Sequence, residues 1–171
     1  MKVYMYKIPI LGQSVAFYNA TEILGSFTNA EELELPSLEK VRSMVYEEIM
    51  EVRKVASLER ILRALGYKNN TQLYQEEIQR AFYPTLMRIH NGLASLVLHG
   101  ADLQEALLPT LDTLRAVTSH KVEAAKKDRG LRFDSQLARM MDLPPYSFYS
   151  LNKRVCKYAT LESIVKAIND L

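Results

Sequence analysis

The stretch RGLRFDSQLARMMDLPPYSFYSLNKR, residues 129–154, decides how the C-terminal part of the chain folds. Gly130 follows a basic helical pattern and supplies the left-handed residue that commonly ends a helix. A short helix is predicted to start at Asp134 or the serine after it, and a tight turn follows at Asp142. A second, aromatic helix begins at Pro145, because proline suits the first turn of a helix. The stretch therefore predicts two short helices around a tight turn.

The apolar residues around this turn follow helical spacing. The first short helix is expected to bury Leu137, Ala138 and Met141, and the second to bury Phe148 and Leu151. A closing helix is predicted over TLESIVKAINDL, with Thr160 as its N-cap and an apolar side made of Leu161, Ile164, Val165 and Ile168. The pattern indicates a small helical core.

From about residue 115 to residue 171, a third of the chain, this pattern resembles the lambda-repressor-like helix-turn-helix family. The similarity lies in the glycine and leucine that end the first helix, the Leu-Ala pair of the next, and the apolar residue after the turn. In that family, Ala138 would let two helices cross closely. Leu143 and Phe148 would anchor the turn and the second helix. The resemblance implies that this second helix enters the major groove of DNA.

The resemblance also implies a set of DNA-binding residues and a dimer that binds double-stranded DNA. Residues placed to face base edges are Pro145, Tyr146 and Ser150. Residues placed to meet phosphates are Ser135, Gln136, Lys153, Arg154 and Lys157. The sequence departs from the family at Asp142, where glycine is usual, and at Pro144, where a hydroxyl cap is usual. Tyr and Ser also read bases less well than Gln, Asn or Arg.

Two other interpretations of the stretch stay open at this point. Short apolar helices joined by tight turns also occur as ordinary hairpins of helical bundles. A degenerate helix-turn-helix can serve as a protein-binding module. The alternative function is therefore a non-enzymatic helical adaptor or inhibitor that binds a protein through exposed Tyr and Met side chains.

Charge is distributed unevenly along the 171 residues, although the net charge is only +2. Residues 120–171 carry ten Lys and Arg against six Asp and Glu, a net charge of +4. Residues 1–119 carry 12 against 14, a net charge of −2. A basic segment of this kind favours a polyanionic partner.

The rest of the chain predicts a mostly α protein with a short N-terminal β element. KVYMYKI alternates like a strand. Three long helices are predicted, over 37–66, from about 70 to 99 with a break before Pro84, and over 102–130 with a break at Pro109. We expect an N-terminal helical region over 1–109, for oligomerisation or for binding a partner or effector, and a helix-turn-helix domain over 110–171.

No pattern of a signal peptide or a membrane span is recognised, and a single cysteine suits a reducing compartment, so the expected location is the cytoplasm. No phosphate-binding loop, dinucleotide fingerprint or nucleophile elbow is found. The three histidines are scattered, which predicts no metal site, and no cofactor and no enzymatic activity are expected. Cys156 has basic neighbours that could lower its pKa, but a packed thiol is the favoured interpretation.

Overall fold

The computed structural model describes residues 3–8, 13–25 and 29–171, and the backbone alone over 3–8, 13–16 and 21–22. Pro9 and Gly12, at which the sequence breaks the pattern after the first strand, lie outside these residues. The described part is mostly α, as predicted. Its helices are α1 Ala20–Leu24, α2 Leu38–Val52, α3 Leu58–Leu65, α4 Gln75–Arg80, α5 Tyr83–Val97, α6 Gly100–Ala106, α7 Leu111–Asp128, α8 Asp134–Met140, α9 Tyr146–Asn152 and α10 Tyr158–Asn169.

The N-terminal β element is an antiparallel hairpin of two strands, β1 Val3–Ile8 and β2 Gln13–Tyr18. Its register pairs Val3 with Tyr18 and Ile8 with Gln13. The alternating pattern of KVYMYKI predicted the first strand, and the sequence pattern did not assign the second. The second strand packs on α2, where the Tyr18 hydroxyl donates a hydrogen bond to Glu47 at 2.7 Å.

The chain divides into two compact units, and it crosses between them more than once. One unit comprises the described residues of Met1–Ile23 and Leu38–Pro109, and the other those of Leu24–Ser37 and Thr110–Leu171. One boundary between the units falls after Pro109. Residues 24–37 belong to the C-terminal unit. The division into an oligomerisation or partner-binding region over 1–109 and a helix-turn-helix domain over 110–171 stays a prediction.

In the N-terminal unit, α5 packs against α2 and α3. Gly92 permits the approach of α3, since a Cβ at this position would lie 2.4 Å from Leu65 Cδ2. The helix predicted over 37–66 is interrupted between Val52 and Leu58, which corrects the prediction of one long helix. A new helix begins there because the Ser57 side chain accepts a hydrogen bond from the Arg60 amide, as an N-cap does.

The predicted breaks at the two prolines are present. Residues 81 and 82 separate α4 from α5, and Pro84 lies in the first turn of α5, where its missing N–H is tolerated. Residues 107–110 separate α6 from α7, and the Thr110 side chain caps α7 by accepting from the Thr113 amide at 3.1 Å. Proline therefore divides both segments at the expected places.

In the C-terminal unit, α7 packs against α9 and α10, and a short 3₁₀ turn over Ala30–Glu32 packs on α7. The buried Lys121 ammonium donates hydrogen bonds to the carbonyls of Ala30, at 3.2 Å, and Glu31, at 2.7 Å. The Tyr158 hydroxyl donates to the Pro36 carbonyl at 2.9 Å. These bonds hold residues 30–36 in the C-terminal unit.

The closing helix begins earlier than the sequence predicted. Lys157 occupies the N-cap position of α10, and Thr160, the predicted cap, lies within the helix. The predicted apolar side is otherwise present, with Leu161, Ile164 and Val165 buried and Ile168 half-buried. No helix in the described part of the chain is long and apolar enough to cross a membrane.

Candidate nucleic-acid interface

The turn between α8 and α9 has the geometry of a Schellman C-cap. The Leu143 amide donates to the Ala138 carbonyl at 2.9 Å, and the Asp142 amide donates to the Arg139 carbonyl at 3.4 Å. Asp142 has a φ of +51°, the left-handed conformation expected where the family has glycine. Asp tolerates this conformation better than most residues. The sequence therefore located both the turn and its left-handed residue.

Five residues of α8 and α9 are almost completely buried and form the inner face of the segment. They are Leu137, Ala138, Ser147, Phe148 and Leu151. Met141, which was expected to be buried, is only half-buried. Ala138, which has a short side chain, is also the residue whose carbonyl accepts the turn hydrogen bond from the Leu143 amide. Because its inner face is fixed in this way, the α8–α9 segment, residues 134–152, presents a fixed outer face.

Asp134, the first residue of α8, connects three helices. One carboxylate oxygen lies 2.7 Å from Lys126 Nζ of α7, and the other accepts a hydrogen bond from Asn152 Nδ2 of α9 at 2.9 Å. Burial raises the pKa of Asp134, but the hydrogen bonds from Lys126 and Asn152 and the Lys126 charge outweigh it, and the net pKa is lowered. The ionised carboxylate is therefore part of the frame that positions α8 and α9.

A second left-handed residue follows α9. Arg154 has a φ of +56°, and the next amide, of Val155, donates to the Ser150 carbonyl at 3.0 Å. Arg115 of α7 holds the chain beyond this point, because its guanidinium donates to the Cys156 carbonyl at 2.7 and 3.0 Å. An Arg side chain is thus displayed from a backbone conformation that an L-residue adopts at a cost of about 1 kcal/mol.

The predicted phosphate-facing residues lie on the surface of the unit. Ser135, Gln136, Lys153, Arg154 and Lys157 are all exposed. The Gln136 side-chain oxygen accepts hydrogen bonds from the backbone amides of Arg132 and Phe133, at 3.0 and 3.1 Å. Its NH₂ group is the part that can still reach a partner outside the chain.

The predicted base-facing residues lie around the start and outer face of α9. Pro145 and Tyr146 are exposed, and Tyr146 retains 67% of its accessible surface. Ser150 is half-buried, and its hydroxyl donates to the Ser147 carbonyl at 2.8 Å. The hydroxyl hydrogen of Ser150 is therefore already used in a hydrogen bond within the helix.

Tyr149 is a surface residue that was not among the DNA-binding residues predicted from the sequence. It lies three residues after Tyr146 on the outer face of α9 and is 64% exposed. Lys153 Nζ lies 5.8 Å from the centre of its ring, within the range of a cation–π contact. The spacing of Tyr146, Tyr149 and Lys153, three and four residues apart, would have predicted from the sequence that Tyr149 lies on the same helix face.

The exposed charge of the wider range 132–157 is positive, and most of its cations lie just before α8 or just after α9. Between residues 132 and 157 one acidic residue, Asp142, is exposed. The exposed cationic residues of the same range are Arg132, Arg139, Lys153, Arg154 and Lys157. A surface with this balance attracts polyanions at long range.

Cys156 does not have the lowered pKa that its basic neighbours suggested. The residue is only 2% exposed, whereas Lys153, Arg154 and Lys157 point to solvent. Burial raises the pKa of the thiol and outweighs the opposing effect of Arg115. The favoured interpretation of a packed thiol fits this environment.

The N-terminal unit contains a buried polar pair that the scattered histidines did not indicate. His90 Nδ1 of α5 lies 2.8 Å from a carboxylate oxygen of Glu48 of α2, and His90 Nε2 lies 2.6 Å from the Ala106 carbonyl oxygen. Both side chains are fully buried. Burial lowers the pKa of His90, but the charge and hydrogen bond of Glu48 and the Ala106 carbonyl outweigh it, so the net pKa is raised.

Comparisons with known proteins identify no relative: no protein-family model, no curated protein and no solved structure matches the chain. Among the described residues, no group of three or more His, Cys, Asp or Glu side chains could hold a metal ion.

Proposed function

We propose that this chain is a sequence-specific DNA-binding transcriptional regulator that acts as a dimer. The observation that carries the proposal is the surface of residues 132–157, where five exposed cations lie on and around two short helices joined by a left-handed Asp142 turn. Such a helix pair suits the major groove of B-DNA, which is about 12 Å wide and admits one helix. The helix–turn–helix resemblance of residues 115–171 gives the same assignment.

The proposed contacts divide into two classes. Tyr146 and Ser150 face base edges, with Pro145 at the helix start. Lys153, Arg154 and Lys157 neutralise phosphates, and Ser135 and Gln136 donate hydrogen bonds to phosphate oxygens. Phosphate contacts position the protein, and base contacts select the sequence.

A dimer belongs to the same proposal because one such unit reaches only a half-site. Two-fold pairing would space two recognition helices by about 34 Å, one turn of DNA. The N-terminal unit is proposed to supply the dimer contacts or to bind a partner or effector. A regulator of this kind would act in the cytoplasm, where a single reduced thiol is unexceptional.

Selection from a random double-stranded DNA library tests the proposal. The full chain is incubated with the library at about 0.15 M salt, where non-specific phosphate attraction is weakened, and the retained duplexes are sequenced. Enrichment of a palindrome with half-sites about one turn apart is expected. Retention of no sequence above the input would count against the proposal.

A second candidate function rests on the apolar side chains of the same surface. The exposed large apolar residues between 133 and 155 are Phe133, Met140, Tyr146, Tyr149 and Val155. Aromatic and Met side chains are enriched at protein interfaces. An adaptor or inhibitor would therefore form a stoichiometric complex with a protein and would have negligible DNA affinity at physiological salt.

A further inference from the structure

The outer face of α9 has few groups that can read bases by paired hydrogen bonds. Asn152 donates its side-chain NH₂ to Asp134 at 2.9 Å. The Gln136 oxygen accepts from two backbone amides of its own chain. The bidentate contact of an amide with adenine uses both its oxygen and an N–H, so the Gln136 side chain is not free for it. Asn152 keeps one N–H and its oxygen, but its amide is held by the Asp134 carboxylate.

The remaining groups on this face are mainly aromatic. Tyr146 and Tyr149 are 67% and 64% exposed, and Lys153 lies over the ring of Tyr149. The Ser150 hydroxyl hydrogen is used within the helix. Two rings therefore dominate the surface that α9 would bring to the floor of the groove.

The major groove offers one prominent apolar feature to such rings. Only thymine carries a methyl group there, at C5, and apolar side chains contact it. We infer that Tyr146 and Tyr149 recognise thymine methyl groups, so that the preferred duplexes are those with thymine at the positions that α9 faces. This inference rests on the proposed function, because it requires α9 to lie in the major groove.

Replacement of thymine by deoxyuridine tests the inference without changing the protein. A short alternating A·T duplex and the same duplex with uracil in place of thymine have equal backbone charge and differ in the C5-methyl groups. Binding of the full chain to each is measured at about 0.15 M salt. The thymine duplex is expected to bind more tightly, by about fourfold for each methyl group removed from water.

Methylated cytosine supplies the converse measurement. An alternating G·C duplex gains a methyl group at the same place in the groove when 5-methylcytosine replaces cytosine. We expect the methylated duplex to bind more tightly than its unmethylated form. Equal affinity within both pairs of duplexes would overturn the inference while leaving DNA binding itself intact.

Paired variants assign the effect to the two rings. Tyr146→Ala with Tyr149→Ala is expected to abolish the preference for thymine over uracil, whereas Tyr146→Phe with Tyr149→Phe is expected to keep it. Both residues are exposed, so circular dichroism should be unchanged. Preservation of the preference in the alanine variant would overturn the inference. No binding to these duplexes or to any duplex of the random library would overturn both the inference and the proposed function.

Discussion

The Lys126 ammonium of α7 lies 2.7 Å from a carboxylate oxygen of Asp134, the residue that begins α8. The Asp134 carboxylate also accepts from Asn152 of α9, so one side chain connects the two helices of the outer face to the helix behind them. Its position at a helix start is favourable, since an anion there interacts with the helix dipole. The placement of the proposed interface depends on this charged group.

Asp134→Ala is expected to destabilise the protein by about 2 kcal/mol, because it removes two hydrogen bonds, one of them to a charged partner. Urea unfolding followed by circular dichroism measures the change. Asp170→Ala is the control, since Asp170 is an exposed acid of the same unit. Equal losses in the two variants would contradict the bridging role of Asp134.

The same carboxylate predicts a loss of stability in acid. Its pKa is lower in the folded protein than the value of about 3.9 for an unfolded Asp. The stabilisation is therefore complete above about pH 4 and is lost as pH falls through the folded pKa. The difference in unfolding free energy between wild type and Asp134→Asn should shrink below about pH 4. A constant difference down to pH 2 would show that the Asp134 charge is unimportant.

The buried pair of His90 and Glu48 predicts a large effect from a small change. Glu48→Gln removes the negative charge beside a fully buried imidazole and is expected to cost about 3 kcal/mol of unfolding free energy. Glu39→Gln, at an exposed position of the same helix, is the control and should cost less than about 1 kcal/mol. Thermal or urea unfolding of both variants checks the comparison.

The pH dependence of the pair has the opposite sign to that of Asp134. The pKa of His90 is raised on folding, so its stabilisation is complete below the unfolded value of about 6.5 and is lost as pH rises through the folded pKa. Wild-type stability measured from pH 6 to 9 should therefore fall relative to that of His90→Gln. Parallel curves for the two proteins would exclude a charged His90.

Local signals in the sequence predicted the turn and a helix end of the C-terminal unit and a helix boundary of the N-terminal unit. The turn at Asp142, the stop at Gly130 and the division before Pro84 follow from the backbone preferences of single residues. The pair of Glu48 and His90 could not be predicted in this way, because it depends on which helices meet across the N-terminal unit. The same holds for residues 24–37, whose carbonyls are satisfied by side chains about ninety or more residues away.

The exposed face of α9 also depends on packing that local sequence signals do not predict. The family resemblance predicted that Tyr146 and Ser150 face base edges. It did not include Tyr149, which is more exposed than Ser150. Exposure depends on how α9 is rotated against the core, and the rotation is fixed by the buried Phe148 and Leu151. The sequence spacing limits which residues of α9 can share an exposed face, and the packing of the helix determines which face is exposed.

The left-handed backbone conformation of Arg154 lowers stability, whereas its side chain is proposed to contact phosphate, so a substitution here should affect stability and DNA binding in opposite directions. Its φ of +56° costs less for glycine, so Arg154→Gly is expected to stabilise the protein by about 1 kcal/mol. The same change removes a proposed phosphate contact and should weaken DNA binding. Arg154→Ala should weaken binding equally without the gain in stability, and Asp142→Gly should stabilise without loss of binding. Unchanged DNA affinity in both Arg154 variants would remove this residue from the interface.

The cationic end of α9 predicts how binding responds to salt. Lys153→Ala with Arg154→Ala removes two proposed phosphate contacts and should weaken binding to all sequences alike. It should also reduce the slope of log affinity against log salt by about 2, because fewer counterions are released. Arg60→Ala with Lys68→Ala removes two exposed cations of the N-terminal unit and is the matched control. If both double variants kept the wild-type slope, the phosphate-binding face would have to lie elsewhere, whereas a lower slope in the first variant alone assigns it to the end of α9.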